Sequence, residues 1–219
     1  IMIATRNMKL YLPFERNAND FSGNGNNGTV YGASLVDGGK FGKCYSFDGV
    51  DDYIAIPDSY DFHLTKFTVA CWVYLDSSIT CVFFSSINSE VTGNDRGILF
   101  RVVNGELNVF LGCGTSRYNY YSGYNLDLET WTHVAATYDG STLKMYANGE
   151  LVYFVNTSVV PQYFTLGNNN VRIGALKYDR LSGLVNYFRG DIDDMAIFSK
   201  ALTESDIKRV MLNLHPLNG

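Results

Sequence analysis

Apolar and polar residues alternate in short runs along almost the whole chain, the two-residue period of strands that bury one face. The runs are Lys9–Phe14, Gly28–Ser34, Lys40–Phe47, Asp52–Ile56, Phe67–Leu75, Thr80–Ser86, Gly97–Val103, Leu107–Gly112, Trp131–Tyr138, Leu143–Ala147, Leu151–Val155, Val171–Gly174 and Gly190–Phe198. Asn104-Gly105 and Asn148-Gly149 each separate two of them. Asn-Gly supplies the two positive φ angles of a type I′ hairpin turn. Asp139-Gly140 offers a third tight turn. One helix is expected: Thr203 and Asp206 form a capping pair, and Ile207, Val210, Met211 and Leu214 make one apolar stripe behind it. Short strands at hairpin spacing, with no Pro-, Ser- or Gly-rich linker between them, predict an all-β antiparallel sandwich spanning 1–219 as one domain.

Composition narrows the function classes. At 46% hydrophobic and 18% charged residues, the 219-residue chain is neither disordered nor a coiled coil. A net charge of −5 and scattered Lys and Arg argue against nucleic acid, whose phosphates require clustered cations. No apolar stretch approaches the ~20 residues that span a bilayer, so membrane insertion is not expected. The first dozen residues lack an apolar signal core, which reads as a signal peptide absent or already removed. Cys44, Cys71, Cys81 and Cys113 contain no Cys-x-x-Cys pair. They read as buried free thiols, with a strand-to-strand disulfide as the alternative.

Three groups of segments, in order, resemble the laminin-G-like jelly rolls of the concanavalin A-like lectin/glucanase superfamily. The first is Asp20–Gly28 with Thr29-Val30 and Phe47–Pro57. The second is Phe67–Val73 with Trp131–Gly140 and Met145–Gly149. The third is Arg172–Gly174 with Gly190–Leu202. The resemblance runs from about residue 10 to 212. It implies a two-sheet jelly-roll sandwich of roughly twelve to fourteen strands with one short C-terminal helix, and often a bound calcium ion. Trp72 and Trp131, in apolar runs, read as core residues.

Oxygen spacing agrees with a cation. Asp20, Ser22, Asn24 and Asn26 alternate along a Gly-containing loop, the opening of an EF-hand-like pattern. Its twelfth position is Tyr31 instead of the bidentate Glu, so further carboxylate must come from elsewhere. By strand alternation Asp193 shares a face with Met195 and Ile197 and points inward, where a cation would offset its burial. Asp20, Ser22, Asn24, Asn26 and Asp193 are therefore the expected ligands of a structural calcium. The alternative is a metal-free Asx-turn loop with Asp193 bonded to backbone amides.

Catalytic patterns are missing from the sequence. The superfamily's glucanases carry Glu-x-Asp-x-(x)-Glu on a strand, for a nucleophile and an acid/base across the glycosidic bond. The nearest string here, Asp191-Ile-Asp193-Asp194, has neither Glu. Gly-x-Ser-x-Gly, His-Glu-x-x-His and phosphate loops are absent, and His133 reads as a structural histidine. One stretch reads as recognition surface. Gly112–Asn125 sets four Tyr among small polar residues, and Arg117, Tyr118, Asn119, Tyr120, Tyr121, Tyr124 and Asn125 are the candidate ligand contacts. Lys177–Arg180 with Asn186–Arg189 is a weaker second patch or a long loop.

The leading expectation is a non-catalytic, calcium-containing carbohydrate-binding module of a secreted, cell-surface or virion-surface protein, with a glycan or glycoconjugate as partner. The alternative is a structural or protein-interaction domain, and the third an atypical glycoside hydrolase or polysaccharide lyase.

Overall fold

The computed structural model describes residues 7–89, 95–114, 116–164, 170–177 and 183–212. In chain order the strands are Met8–Leu12 (β1), Thr29–Tyr31 (β2), Ser34–Asp37 (β3), Lys43–Asp48 (β4), Tyr53–Pro57 (β5), Phe67–Leu75 (β6), Cys81–Ser85 (β7), Asn88–Ser89 (β8) and Asp95–Val103 (β9). They continue with Glu106–Gly114 (β10), Ser116–Asn125 (β11), Thr132–Tyr138 (β12), Thr142–Ala147 (β13), Glu150–Asn156 (β14), Asn170–Ile173 (β15), Leu176–Lys177 (β16), Leu184–Val185 (β17) and Arg189–Phe198 (β18). The helix α1 is Glu204–Met211.

Two large antiparallel sheets stack face to face. The first runs β14-β13-β12-β6-β18-β4-β3, with β1 also on β18, and the second runs β11-β10-β9-β7-β15-β5-β2, with β8 on β9. A small β16–β17 ladder forms a third sheet. Alternation decides what the sheets bury between them. Val69, Cys71 and Val73 of β6 meet Phe83 of β7, Phe100 of β9 and Val109 of β10 in one core. Phe83 packs edge-on against Phe100 and Phe188 at centroid distances of 5.3 and 5.8 Å. Both Asn-Gly joints take the expected turn: φ is 51° and 88° at Asn104 and Gly105, and 49° and 79° at Asn148 and Gly149.

The helix starts where expected. Thr203 Oγ1 accepts the Asp206 amide at 3.2 Å, and Ile207 and Val210 are buried over the outer face of the first sheet with Ala70, Ala135 and Phe198. Trp72 lies on that same outer face and not between the sheets. Its indole N–H donates to the Met211 carbonyl at 3.1 Å, and Phe41 and His133 flank the ring. Trp131 is only half-buried, just before β12, against Tyr74. All four cysteines are free, Cys44, Cys71 and Cys81 buried and Cys113 half-buried.

Five strands lie outside the expected runs: the two-residue β8, β16 and β17, and two longer ones. Ser34–Asp37 pairs with β4 although only its two middle residues are half-buried, which leaves no alternation to read. Ser116–Asn125, expected as a tyrosine-rich surface stretch, is a ten-residue edge strand on β10.

Candidate functional site

The β11 strand positions the recognition residues, and its register with β10 and β9 sorts them. Asn108 stands opposite Tyr121 on one side and Arg101 on the other, and Phe110 stands opposite Asn119 and Leu99. Because Leu107, Val109 and Leu111 of β10 point into the core, this row faces outward from the sandwich. Arg101 Nε donates to Asn108 Oδ1 at 2.9 Å, and its Nη2 donates to Asn119 Oδ1 at 3.1 Å. Asn108, fully buried, donates to the Tyr120 carbonyl at 3.0 Å and anchors the group. Asn119 is therefore gripped by its carbonyl oxygen, and Tyr121 beside it is 46% exposed.

The remaining candidates divide by the same alternation. Tyr120 and Tyr124 pack against the core, and the Tyr120 hydroxyl meets Thr157 Oγ1 at 2.9 Å. Tyr118 stays 39% exposed near the start of the strand. Asn125 is exposed opposite Glu106, beyond a bulge that Glu106 closes by accepting the Gly123 amide at 2.7 Å. Arg117 is held by a carboxylate: its Nε lies 2.7 Å from Asp95 Oδ2, and Asp95 is almost wholly buried with its Oδ1 unpartnered. Outward-facing Asn119, Tyr121 and Arg101 thus form the site proper. In the second patch Phe188 is core and Tyr178–Arg180 lie outside the described residues.

The expected cation ligands separate into two places. Asp20, Ser22, Asn24 and Asn26 share one loop, and Asp20 is its hub. Asp20 Oδ1 accepts the amides of Tyr11 (3.0 Å) and Ser22 (2.8 Å), while Oδ2 accepts Ser22 Oγ (2.8 Å) and the Asn26 amide (2.9 Å). Four donors use the roughly four lone-pair directions of a carboxylate. Asn24 and Asn26 turn their amide groups to the Met8 and Lys9 carbonyls, at 2.8 and 2.9 Å. The Asp20 loop, so bonded, does not fit a cation.

Asp193 is held elsewhere, and on the opposite face from the one strand alternation gives. Asp194 has φ 52° and the β18–β6 register shifts between Asp193 and Ala196, so Asp193 pairs with Trp72 while Ile192, Met195 and Ile197 enter the core. Asp193 Oδ2 accepts the Phe41 amide at 2.9 Å. The Oδ1 atoms of both Asp193 and Asp194 are buried without a partner. Burial pushes the Asp193 carboxyl up to about 8, opposed by the Phe41 amide. Burial pushes Asp194 to about 7, opposed by a hydrogen bond from Tyr11, with the Glu15 charge adding to the rise. Two buried carboxyls with orphaned oxygens offer a partial donor set for a hard cation, and among the described residues no third acidic, His or Cys side chain completes it. Asp48, Asp51 and Asp52 also cluster, but Asp48 and Asp52 already accept backbone amides at 2.8 and 2.9 Å.

The arrangement is a two-sheet jelly roll with a polar and aromatic outer face. The family model for laminin-G-like domains, described as the Concanavalin A-like lectin/glucanases superfamily, matches residues 48–208, and the chain belongs to that superfamily. No curated protein sequence matches it. Among solved structures it is similar to domain 4 of AbnA, a GH43 extracellular arabinanase from Geobacillus stearothermophilus, in complex with arabinotriose. That likeness has a TM-score of 0.72 and 23% identity, over 94% of this chain and 98% of that one. The binding domain of Paraclostridial Mosquitocidal Protein 1 has a TM-score of 0.74 and 16% identity over 96% of this chain and 53% of that chain. The binding domain of Botulinum Neurotoxin DC was solved with SialylT (TM-score 0.69, 16% identity, 97% of this chain, 52% of that chain) and with rat synaptotagmin II (0.67, 17%, 97% and 52%). The chain thus spans nearly all of the arabinanase domain and about half of the toxin domains. At these identities the likeness establishes the fold.

Proposed function

We propose that this protein is a non-catalytic carbohydrate-binding module that works outside the cell. The observation that carries the reading is the outward row on the second sheet. Tyr121 offers a half-exposed ring for the C–H face of a sugar, and beside it Asn119 and Arg101 are locked by their mutual hydrogen bonds in position to meet hydroxyls. Arabinotriose in the arabinanase domain and SialylT in the toxin domain support oligosaccharides as the ligand class. Among the described residues of β9 to β11 the two carboxylates are engaged, Asp95 with Arg117 and Glu106 with the Gly123 amide, which favours binding over acid/base chemistry. Among the described residues no helix is long and apolar enough to cross a membrane.

Calcium enters this proposal at Asp193 and Asp194, and not at Asp20. There it would neutralise buried negative charge and tie the last strand to the loop around Phe41; it supplies no chemistry to the sugar site. A protein partner is the second reading. It is favoured by Leu151 and Phe154, 42% and 62% exposed on the edge strand β14.

The deciding experiment is a glycan array probed with wild type and Tyr121→Ala, each with calcium and with chelator. Specific hits that Tyr121→Ala loses support the module, and a blank array with wild type rejects it.

A further inference from the structure

The outer face of the second sheet does not end at β11. At its far edge Tyr31 of β2 stands directly opposite Tyr53 of β5. Their rings are stacked, 4.6 Å between centroids and 9° from parallel, and Tyr31 is 45% exposed. The intervening residues Val30, Ile54 and Ile56 pack into the core, so both tyrosines face outward. Arg172 of β15 pairs with Ala55 and so shares that face. Tyr187 lies within electrostatic reach of Tyr53 and Asp51: burial raises its phenol, and Tyr53 and Asp51 add to the rise. Gly32, φ 75°, seats its backbone against Asp52, where an added Cβ would run into the carboxylate. Asp52 in turn accepts the Asp48 amide at 2.9 Å, which fixes the carboxylate that Gly32 packs against.

We propose that Tyr31 and Tyr53 form a second sugar-binding platform, making the module bivalent. This rests on the carbohydrate reading of the β11 face and extends it. An exposed edge ordinarily carries Lys or a bulge, and a stacked aromatic pair there leaves a rigid flat face with phenolic tips. Sugar suits it better than an added peptide strand, because β2 has only three residues and breaks at Gly32 with positive φ. Six strand spacings separate β2 from β11, roughly 29 Å at ~4.8 Å each. Between them the β16–β17 ladder covers the face, with Leu176 and Val185 on Val82, Leu99 and Phe110. The two platforms therefore engage separate sugars, or separate stretches of one polysaccharide.

Surface plasmon resonance on chips carrying arabinotriose, sialyllactose or galacto-oligosaccharide conjugates, each at dense and sparse loading, tests this with wild type, Tyr31→Ala, Tyr31→Phe and Tyr121→Ala. On the sparse chip Tyr31→Ala and Tyr121→Ala each keep the wild-type capacity with about half of its apparent affinity, and on the dense chip each loses about a hundredfold in apparent affinity, the low end of a bivalent gain. Tyr31→Phe, which keeps the stack, retains most of the dense-chip binding. Wild-type behaviour of Tyr31→Ala on both chips, with binding abolished by Tyr121→Ala, overturns the second platform and leaves the first. Binding lost only in Tyr31→Ala rejects the β11 site and keeps the platform. No binding by wild type removes both.

Discussion

Replacing Arg117 separates its two conceivable roles, because the structure gives it a strong tie to the protein itself. Asp95 is 3% exposed at its side chain, with Oδ2 on Arg117 and Oδ1 unpartnered. Arg117→Met keeps the apolar stem and removes the only cation that neutralises this carboxylate among the described contacts. Breaking a fully buried pair costs about 3–5 kcal/mol. Arg117 is itself 44% exposed, so water reaches the abandoned oxygen and the expected loss is smaller, about 2–3 kcal/mol. For a domain of this size that lowers the melting temperature by about 4–12 °C. Urea unfolding of wild type, Arg117→Met, Asp95→Asn and the double variant measures it, with the double variant recovering at least half of the loss because no buried charge is left. Sugar binding, measured well below the melting temperature, survives in Arg117→Met. If instead that variant stays within about 0.5 kcal/mol of wild type while losing sugar binding, Arg117 serves the ligand and the argument from Asp95 fails.

Calcium at hundredfold excess over its dissociation constant is expected to stabilise the protein by about 2.7 kcal/mol, seen as a melting shift that chelator reverses; Asp194→Asn abolishes the shift and Asp20→Asn keeps it. Gly190→Ala should cost about 3 kcal/mol or more, because φ is 129° and the new Cβ would run into the Tyr74 carbonyl oxygen, where β18 meets β6; thermal unfolding checks it. Burial tends to raise the Asp61 carboxyl, but hydrogen bonds from Lys9 and Asn26 outweigh it and hold the group below its ordinary range. That contribution is complete above the unfolded value of about 3.9 and is lost as pH falls through the lower folded value, so the stability gap between wild type and Lys9→Met should close on acidification below about pH 4.

Most of the sandwich was legible because its strands bury one face and its turns carry Asn-Gly. The face of Asp193 was misread because alternation is a local rule and a bulge interrupts it. Asp193 follows Ile192 in a run that reads apolar-inward at Met195 and Ile197, and nothing in the sequence announces that Asp194 turns to positive φ and reverses the faces. β11 was hidden for a different reason. Its inward positions are Tyr120 and Tyr124 instead of aliphatics, so inward and outward residues look equally polar. The Asp20 loop carries oxygen at every second position, a spacing shared by cation loops and Asx turns; only the donors around Asp20 distinguish them.

Two residues of the outward row on β9 and β10 were recoverable from the sequence by one more step. An Asn-Gly type I′ turn fixes hairpin register, so Asn104-Gly105 commits Val103 to Glu106 and Arg101 to Asn108, equally far from the turn on either side. Arg101 and Asn108 are the polar interruptions of two apolar runs, and that register sets them side by side on the face away from Phe100 and Val109. A cation opposite an amide on an outward face is the kind of fixed polar pair that recognition uses. No such step leads to Tyr31 and Tyr53. Their strands are joined through β3 and β4 of the other sheet, so their register is set by tertiary packing and not by a turn. A local feature is therefore readable as far as a tight turn carries the register, and a face assembled from strands that leave the sheet and return is visible only once the two sheets are built.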